Sequence, residues 1–131
     1  MALRHHSLVA WQRADDLFIK VHQLTLSAFP PHEKYELGSQ VRRAGFSVAV
    51  NIVEGFAKRT PRERLHFLNI SESSLAEVGY GLHAARRLGY IDQRMFDDLD
   101  AEARAVGAPL AGLIRSVRAE LAAASHRRKI T

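Results

Sequence analysis

The sequence has no cysteine among its 131 residues. This absence excludes a disulfide-stabilised scaffold, thiolate zinc sites, iron–sulfur clusters and a cysteine nucleophile. No run approaches the ~20 apolar residues that a membrane span requires, and the N-terminal region lacks the apolar core of a secretory signal peptide. We therefore expect a cytoplasmic protein with no membrane partner, folded as a single domain over residues 1–131.

Catalytic and cofactor-binding motifs are also missing. The glycines form no phosphate-binding loop, and no serine lies in a nucleophile elbow or beside an evident base. Glu63 and His66 have the Glu-x-x-His spacing of a di-iron bundle, but the second such pair and the two further glutamates that this site needs are absent. The sequence accordingly predicts no enzyme activity, no cofactor and no metal site.

Four amphipathic helical segments occupy most of the chain. In each of them apolar residues recur three and four positions apart, the period that places one apolar stripe along a helix. The predicted helices cover about 7–28, 33–58, 61–88 and 93–123, followed by a basic C-terminal tail at 124–131. Because the connections are short and no β-rich segment intervenes, we expect an all-α protein, an antiparallel up-down-up-down four-helix bundle.

Residues with special backbone preferences mark the ends of these segments. Thr60 and Glu63 have the spacing of a capping box at the start of the third helix, and Gly89 fits a left-handed stop at its end. Asp92 is expected to cap the fourth helix. Pro109 should kink that helix without breaking it, because the apolar stripe continues in phase on both sides.

The second predicted helix carries polar residues along one face and apolar residues on two other sides. The polar face consists of Gln40, Arg43, Ser47, Asn51 and Glu54. The far side of the helix carries Phe46, Val50 and Val53. Because buried polar side chains need hydrogen-bond partners, we expect the first set to form a structural network, with a catalytic role of Glu54 as the alternative. A helix that is apolar on two opposite sides is seldom half exposed to water, so we expect the second set to be an oligomer interface.

Positive charge is concentrated at one end of the expected bundle. The formal net charge is +5, and the topology brings both termini and the turn between the second and third helices to the same end. The basic residues of that end are Arg4, Lys58, Arg59, Arg62, Arg64, Arg127, Arg128 and Lys129. Such a cluster can bind the phosphate backbone of a nucleic acid by releasing counterions, whereas the alternative is an ordinary solvated end of a bundle.

The segment from Gln40 to Gly55 resembles the motif of a known family. Its matching residues are Gln40, Arg42, Arg43, Ala44, Ser47, Asn51, Glu54 and Gly55. On this motif the chain resembles the four-helix bundle proteins encoded in intervening sequences of bacterial 23S rRNA genes, a family that also has free-standing members. The resemblance implies a homopentameric ring, similar to the accessory protein of diversity-generating retroelements, which partners a reverse transcriptase and binds nucleic acid through basic surface.

These observations favour a non-enzymatic, oligomeric helical bundle that binds RNA or DNA through its basic end. A homopentamer is the assembly that the resemblance implies. The alternative is a protein-interaction adaptor, for example a partner of a reverse transcriptase or another nucleic-acid enzyme, with no direct binding to nucleic acid.

Overall fold

The computed structural model describes residues 8–130, which form a bundle of four long helices and one short helical turn. In chain order the helices are α1 (Val9–Ala28), α2 (Pro31–Lys34), α3 (Leu37–Ala57), α4 (Pro61–Arg87) and α5 (Gln93–Ile130). Around the bundle α1 packs beside α3, α3 beside α4, α4 beside α5, and α5 beside α1. Because the connections are short, neighbouring helices are antiparallel, which confirms the predicted all-α, up-down-up-down bundle.

Apolar side chains from all four long helices fill the centre of the bundle. The large residues that are fully buried include Leu17 on α1, Ile52 on α3, Leu68 and Leu82 on α4, and Leu110 on α5. Truncating a core side chain of this kind to alanine typically costs ~2–5 kcal/mol of stability. Because these stripes are buried, the opposite face of each helix lies on the surface, where a partner can bind.

A break divides the second predicted helix. The structure differs from the predicted span of 33–58, because α2 ends at Lys34 and α3 begins at Leu37. The half-buried Arg42 stabilises the break: its Nη2 donates to the Lys34 carbonyl oxygen at 2.7 Å, and its Nη1 donates to Oγ1 of the buried Thr25 at 3.0 Å. One guanidinium thus satisfies a carbonyl at the end of α2 and ties α3 to α1.

Three predicted helix-end residues are confirmed. One lies at the start of α4, and the other two lie in the connection between α4 and α5. Thr60 Oγ1 accepts a hydrogen bond from the backbone N–H of Glu63 at 3.2 Å. Gly89 has a φ of +79°, the left-handed conformation that stops α4. Asp92 Oδ1 accepts from the backbone N–H of Met95 at 2.8 Å and so caps α5.

A single helix, α5, runs through Pro109 and reaches Ile130. Its buried positions stay in phase across the proline, at Val106 and Leu110, so the helix does not break there. The predicted end at residue 123 is corrected, because residues 124–130 continue α5 instead of forming a tail. The alanine-rich sequence favours helix, and the basic residues of the last turn interact favourably with the helix dipole.

The helices α3 and α4 approach each other closely where Gly81 faces Val41. A β-carbon added at Gly81 would lie 2.5 Å from Val41 Cγ2, which is too short for two carbon atoms. A β-carbon added at Gly79 would meet nothing within 4 Å. A side chain at position 81 would therefore have to displace Val41, whereas position 79 has space for one.

Candidate functional site

Ser47 and Asn51 belong to a hydrogen-bonded cluster between α3 and α4. Ser47 Oγ lies 2.7 Å from Ser74 Oγ on α4, and Asn51 Nδ2 donates to the Ser47 Oγ at 2.9 Å and to its carbonyl oxygen at 2.8 Å. One turn away along α4, the buried Ser71 hydroxyl donates to the Val48 carbonyl oxygen at 2.7 Å. These contacts lie within one chain and join the two helices.

The other members of the predicted polar network lie outside this cluster. Gln40, Arg43 and Glu54 are exposed on the surface of α3. Ser71 and Ser74 were not among the predicted members of this network, although their positions within the apolar stripe of α4 are a signal of buried hydroxyls. The cluster contains no titratable group, so its chemistry is that of a contact between helices and it supplies neither an acid nor a base.

An apolar groove, which we call the α1–α3 groove, runs between these two helices. Its volume is about 230 Å³ and its lining residues are Trp11, Asp15, Phe18, Ile19, Phe46, Ala49, Val50 and Val53. Phe46 is 54% exposed and contacts Phe18 edge to face, with ring centroids 5.7 Å apart. The structure therefore places the predicted interface residues Phe46, Val50 and Val53 on one surface together with α1. An exposed phenylalanine in an apolar groove is typical of a surface that another protein chain covers.

The connection between α3 and α4 carries a basic surface. We call Lys58, Arg59 and Arg62 the basic turn. Arg59 and Arg62 are exposed, and Lys58 holds its Nζ 5.2 Å from the centroid of the Phe67 ring. Arg4, which was predicted to belong to the same end, lies outside the described residues.

Arg64 has a different role from its neighbours in the basic turn. Its Nε donates to the Lys58 carbonyl oxygen at 3.2 Å, its Nη2 donates to the Arg59 carbonyl oxygen at 3.3 Å, and its Nη1 pairs with Glu120 Oε2 at 3.2 Å. Its side chain is only 17% exposed. Arg64 is therefore a positioning residue for the turn, and Glu120 adds a negative charge to this end of the bundle.

The end of α5 forms a basic extension, residues 121–130, which we call the arm. Leu121 and Ala124 are half buried, whereas the other arm residues are exposed. The basic residues of the arm are Arg127, Arg128 and Lys129. At 1.5 Å per residue, Arg127 lies ~10 Å farther along the helix axis than Glu120. The structure thus brings the basic turn and the arm to the same end of the bundle, as the topology predicted.

The opposite end of the bundle has a different surface. A groove of about 320 Å³ between α1 and α5 is lined by Lys20, Gln23, Leu24, Ser27, Met95, Asp98 and Leu99. The Lys20 ammonium donates a hydrogen bond to the Glu102 carboxylate, and this contact raises the pKa of Lys20. Because cation and anion are paired here, this groove lacks the excess positive charge of the basic turn.

Two features are absent from residues 8–130. Within this range no group of three or more histidine and acidic side chains is placed to hold a metal ion. Among the described helices, none combines the length and the hydrophobicity that crossing a lipid bilayer requires.

Comparisons with known proteins agree with this architecture. The model of the 23S rRNA-intervening sequence protein family matches residues 6–112. A crystal structure of a protein of unknown function from the S23 ribosomal protein family of Bacteroides thetaiotaomicron VPI-5482 is similar in fold, with a TM-score of 0.75 and 19% sequence identity over 81% of this chain and 98% of that one. No curated protein gives a significant match. At this identity the structural neighbour supports the fold alone.

Proposed function

This chain belongs to the 23S rRNA-intervening sequence protein family, and we propose that it is a non-enzymatic module that assembles into a ring and binds RNA or DNA through its basic end. The observation that carries the proposal is the segregation of charge along the bundle. The basic turn and the basic residues of the arm share one end, where Arg59 and Arg62 are exposed. Cations grouped in this way bind phosphates by releasing counterions from the nucleic acid.

The α1–α3 groove supports self-association. It exposes Phe46 beside Val50 and Val53, and covering such a surface with a second copy removes apolar area from water. In a cyclic ring every copy is related to the next by rotation about one axis, so bundles that lie along this axis present their equivalent ends on the same side. The family resemblance favours a homopentamer, in which the basic turn is repeated around one rim.

Nucleic-acid binding is tested by fluorescence anisotropy of a labelled RNA titrated with the full-length protein at several salt concentrations. If about four phosphates are contacted per chain, raising the salt from ~50 to ~200 mM should weaken binding by about 100-fold, because salt opposes counterion release. Changing Arg59 and Arg62 together to alanine should reduce the slope of log Kd against log salt by about two units. Arg64 is left unchanged, because its loss would disturb the turn itself.

The matched control changes Arg87 and Arg94 to alanine. Both side chains are exposed and lie at the opposite end of the bundle, so this variant loses the same charge without altering the basic turn. Binding that is absent, that does not respond to salt, or that both double variants weaken equally would contradict the proposal.

A second candidate function is a protein-interaction adaptor, and the exposed Phe46 in the α1–α3 groove is the observation that favours it. In this case the chain binds another protein, for example a reverse transcriptase, and does not contact nucleic acid. Affinity purification with and without nuclease separates the two functions. A partner protein that stays bound after nuclease treatment, together with no RNA binding by the purified chain, favours the adaptor.

A further inference from the structure

The basic end exposes no Phe, Tyr or Trp among the described residues. The exposed large aromatic side chains of residues 8–130 are Tyr35, Phe46 and Tyr80. They lie just before α3, in the middle of α3 and in the C-terminal half of α4, away from the basic turn and the arm. At the basic end itself Trp11, Phe56 and Phe67 are half buried, and the Lys58 ammonium lies over the Phe67 ring. After Phe96 the sequence has no further Phe, Tyr or Trp.

This distribution bears on which form of nucleic acid the basic end can bind. Proteins commonly hold single strands by stacking the exposed bases on aromatic side chains, in addition to contacting phosphates. A duplex keeps its bases stacked on one another and presents two phosphate strands, with about one charge per 1.7 Å of helix axis in DNA. A surface that offers cations but no exposed aromatic side chain therefore matches a duplex better than a single strand.

The backbone segments that carry these cations are held in place. Arg64 ties the turn to Glu120 on α5, and the Thr60 cap fixes the start of α4. The arm continues α5 without a break, so its direction is set by the bundle. Cations carried on a fixed backbone suit a stiff rod of phosphates, because the backbone of the protein and the duplex lose little conformational freedom on binding.

We infer that the basic end recognises the backbone of double-stranded nucleic acid, independently of base sequence and in preference to a single strand. The inference rests on the proposed nucleic-acid binding and specifies the ligand class of that same surface. The chemistry that is recognised is the pair of phosphate strands common to RNA and DNA duplexes. The basic turn and the arm contact these phosphates together.

The experiment titrates the full-length protein against labelled probes of equal length at one salt concentration. The probes are an RNA strand with little internal structure, its duplex with the complementary strand, and a duplex RNA of scrambled sequence. The duplex should bind at least about tenfold more tightly than its single strand, because it carries more charge per unit length. Scrambling the sequence should change the affinity by less than about twofold, because phosphate contacts carry no sequence information.

A duplex DNA of the same sequence distinguishes the two sources of phosphate. Equal affinity for both duplexes would show that the common phosphate strands are recognised. Tighter binding to the RNA duplex would show that the cations fit A-form geometry or contact the 2′-hydroxyl groups. Either result supports the inference, because both duplexes are compared with the single strand.

His66 provides a test of the opposing explanation, base stacking. It is exposed, follows the basic turn closely in sequence and contacts Phe67 edge to face, with ring centroids 5.1 Å apart. His66→Ala should leave every affinity within about twofold, whereas changing Arg59 and Arg62 to alanine should weaken duplex binding at least about tenfold.

Two results would overturn the inference and leave the proposed function intact. These are a single strand that binds as tightly as the duplex, and a His66→Ala variant that selectively loses single-strand binding. A lack of binding to every probe would instead overturn the proposed function, and the inference with it.

Discussion

The two flanks of α3 differ in how their outward-facing residues find partners. On the flank beside α4, Ser47 and Asn51 make their hydrogen bonds to one another and to Ser74 within the same chain. On the flank beside α1, Phe46 remains 54% exposed although Phe18 packs against it. One chain thus completes the polar flank but leaves the apolar flank uncovered. The difference separates residues that hold the bundle together from residues available to a partner.

The strongest test of this difference places a charge on the uncovered flank. Phe46→Asp should reduce the proposed oligomer to smaller species, ultimately single chains, because an aspartate buried in an apolar interface is strongly unfavourable. The matched control, Gln40→Asp, puts the same charge on the exposed polar face of the same helix and should leave the assembly unchanged. Light scattering measures the mass, and circular dichroism verifies that both variants remain helical. A wild-type protein that is a monomer at micromolar concentration would contradict the proposal that a second copy covers the apolar flank.

The contact between α3 and α4 on the polar flank is tested by a substitution that forces the two helices apart. Gly81→Ala should lower the free energy of unfolding by about 1–3 kcal/mol, because the new methyl group would clash with Val41. Gly79→Ala is the matched control, and it should raise stability by ~0.5–1 kcal/mol, because alanine favours helix and the added methyl group has open space. Urea denaturation measures both changes. If the Gly81 variant is as stable as the Gly79 variant, the close approach of the two helices is not a constraint.

The smallest expected effect concerns the hydroxyl pair on the same flank. Ser47→Ala, Ser74→Ala and the double variant form a cycle that should give a coupling energy of ~0.5–1 kcal/mol, since a hydrogen bond between neutral groups contributes about this much. Denaturation midpoints provide the four free energies. Strict additivity of the two single changes would show that the hydroxyls do not stabilise the contact between α3 and α4.

Local signals explain why the helices and their ends could be predicted from the sequence. Thr60, Gly89 and Asp92 act on backbone groups within a few residues of themselves, so their roles follow from spacing alone. The apolar period of α3 likewise agrees with the burial of Val48 and Ile52. These features depend on neighbours along the chain and not on the packing of distant segments.

Features that depend on distant partners could not be predicted in this way. Arg42 ties α3 to α1 through Thr25, which belongs to another helix. Arg64 resembled a member of the basic surface because Glu120, which pairs with it, is 56 positions away in sequence. Periodicity shows which face of a helix is buried, but it does not show which polar group from another helix will meet it.

Because α5 is continuous, the direction of the arm is set by the rest of the helix. A flexible linker would let the basic residues of the arm sample many positions around the turn, whereas an unbroken helix gives them one direction. In the proposed complex with a duplex, this one direction has to bring the arm to phosphates while the basic turn contacts others. Inserting one residue after Glu120 would rotate the arm by about 100° around its axis. Every charge would be retained, but the arm would point to a different side of the ligand.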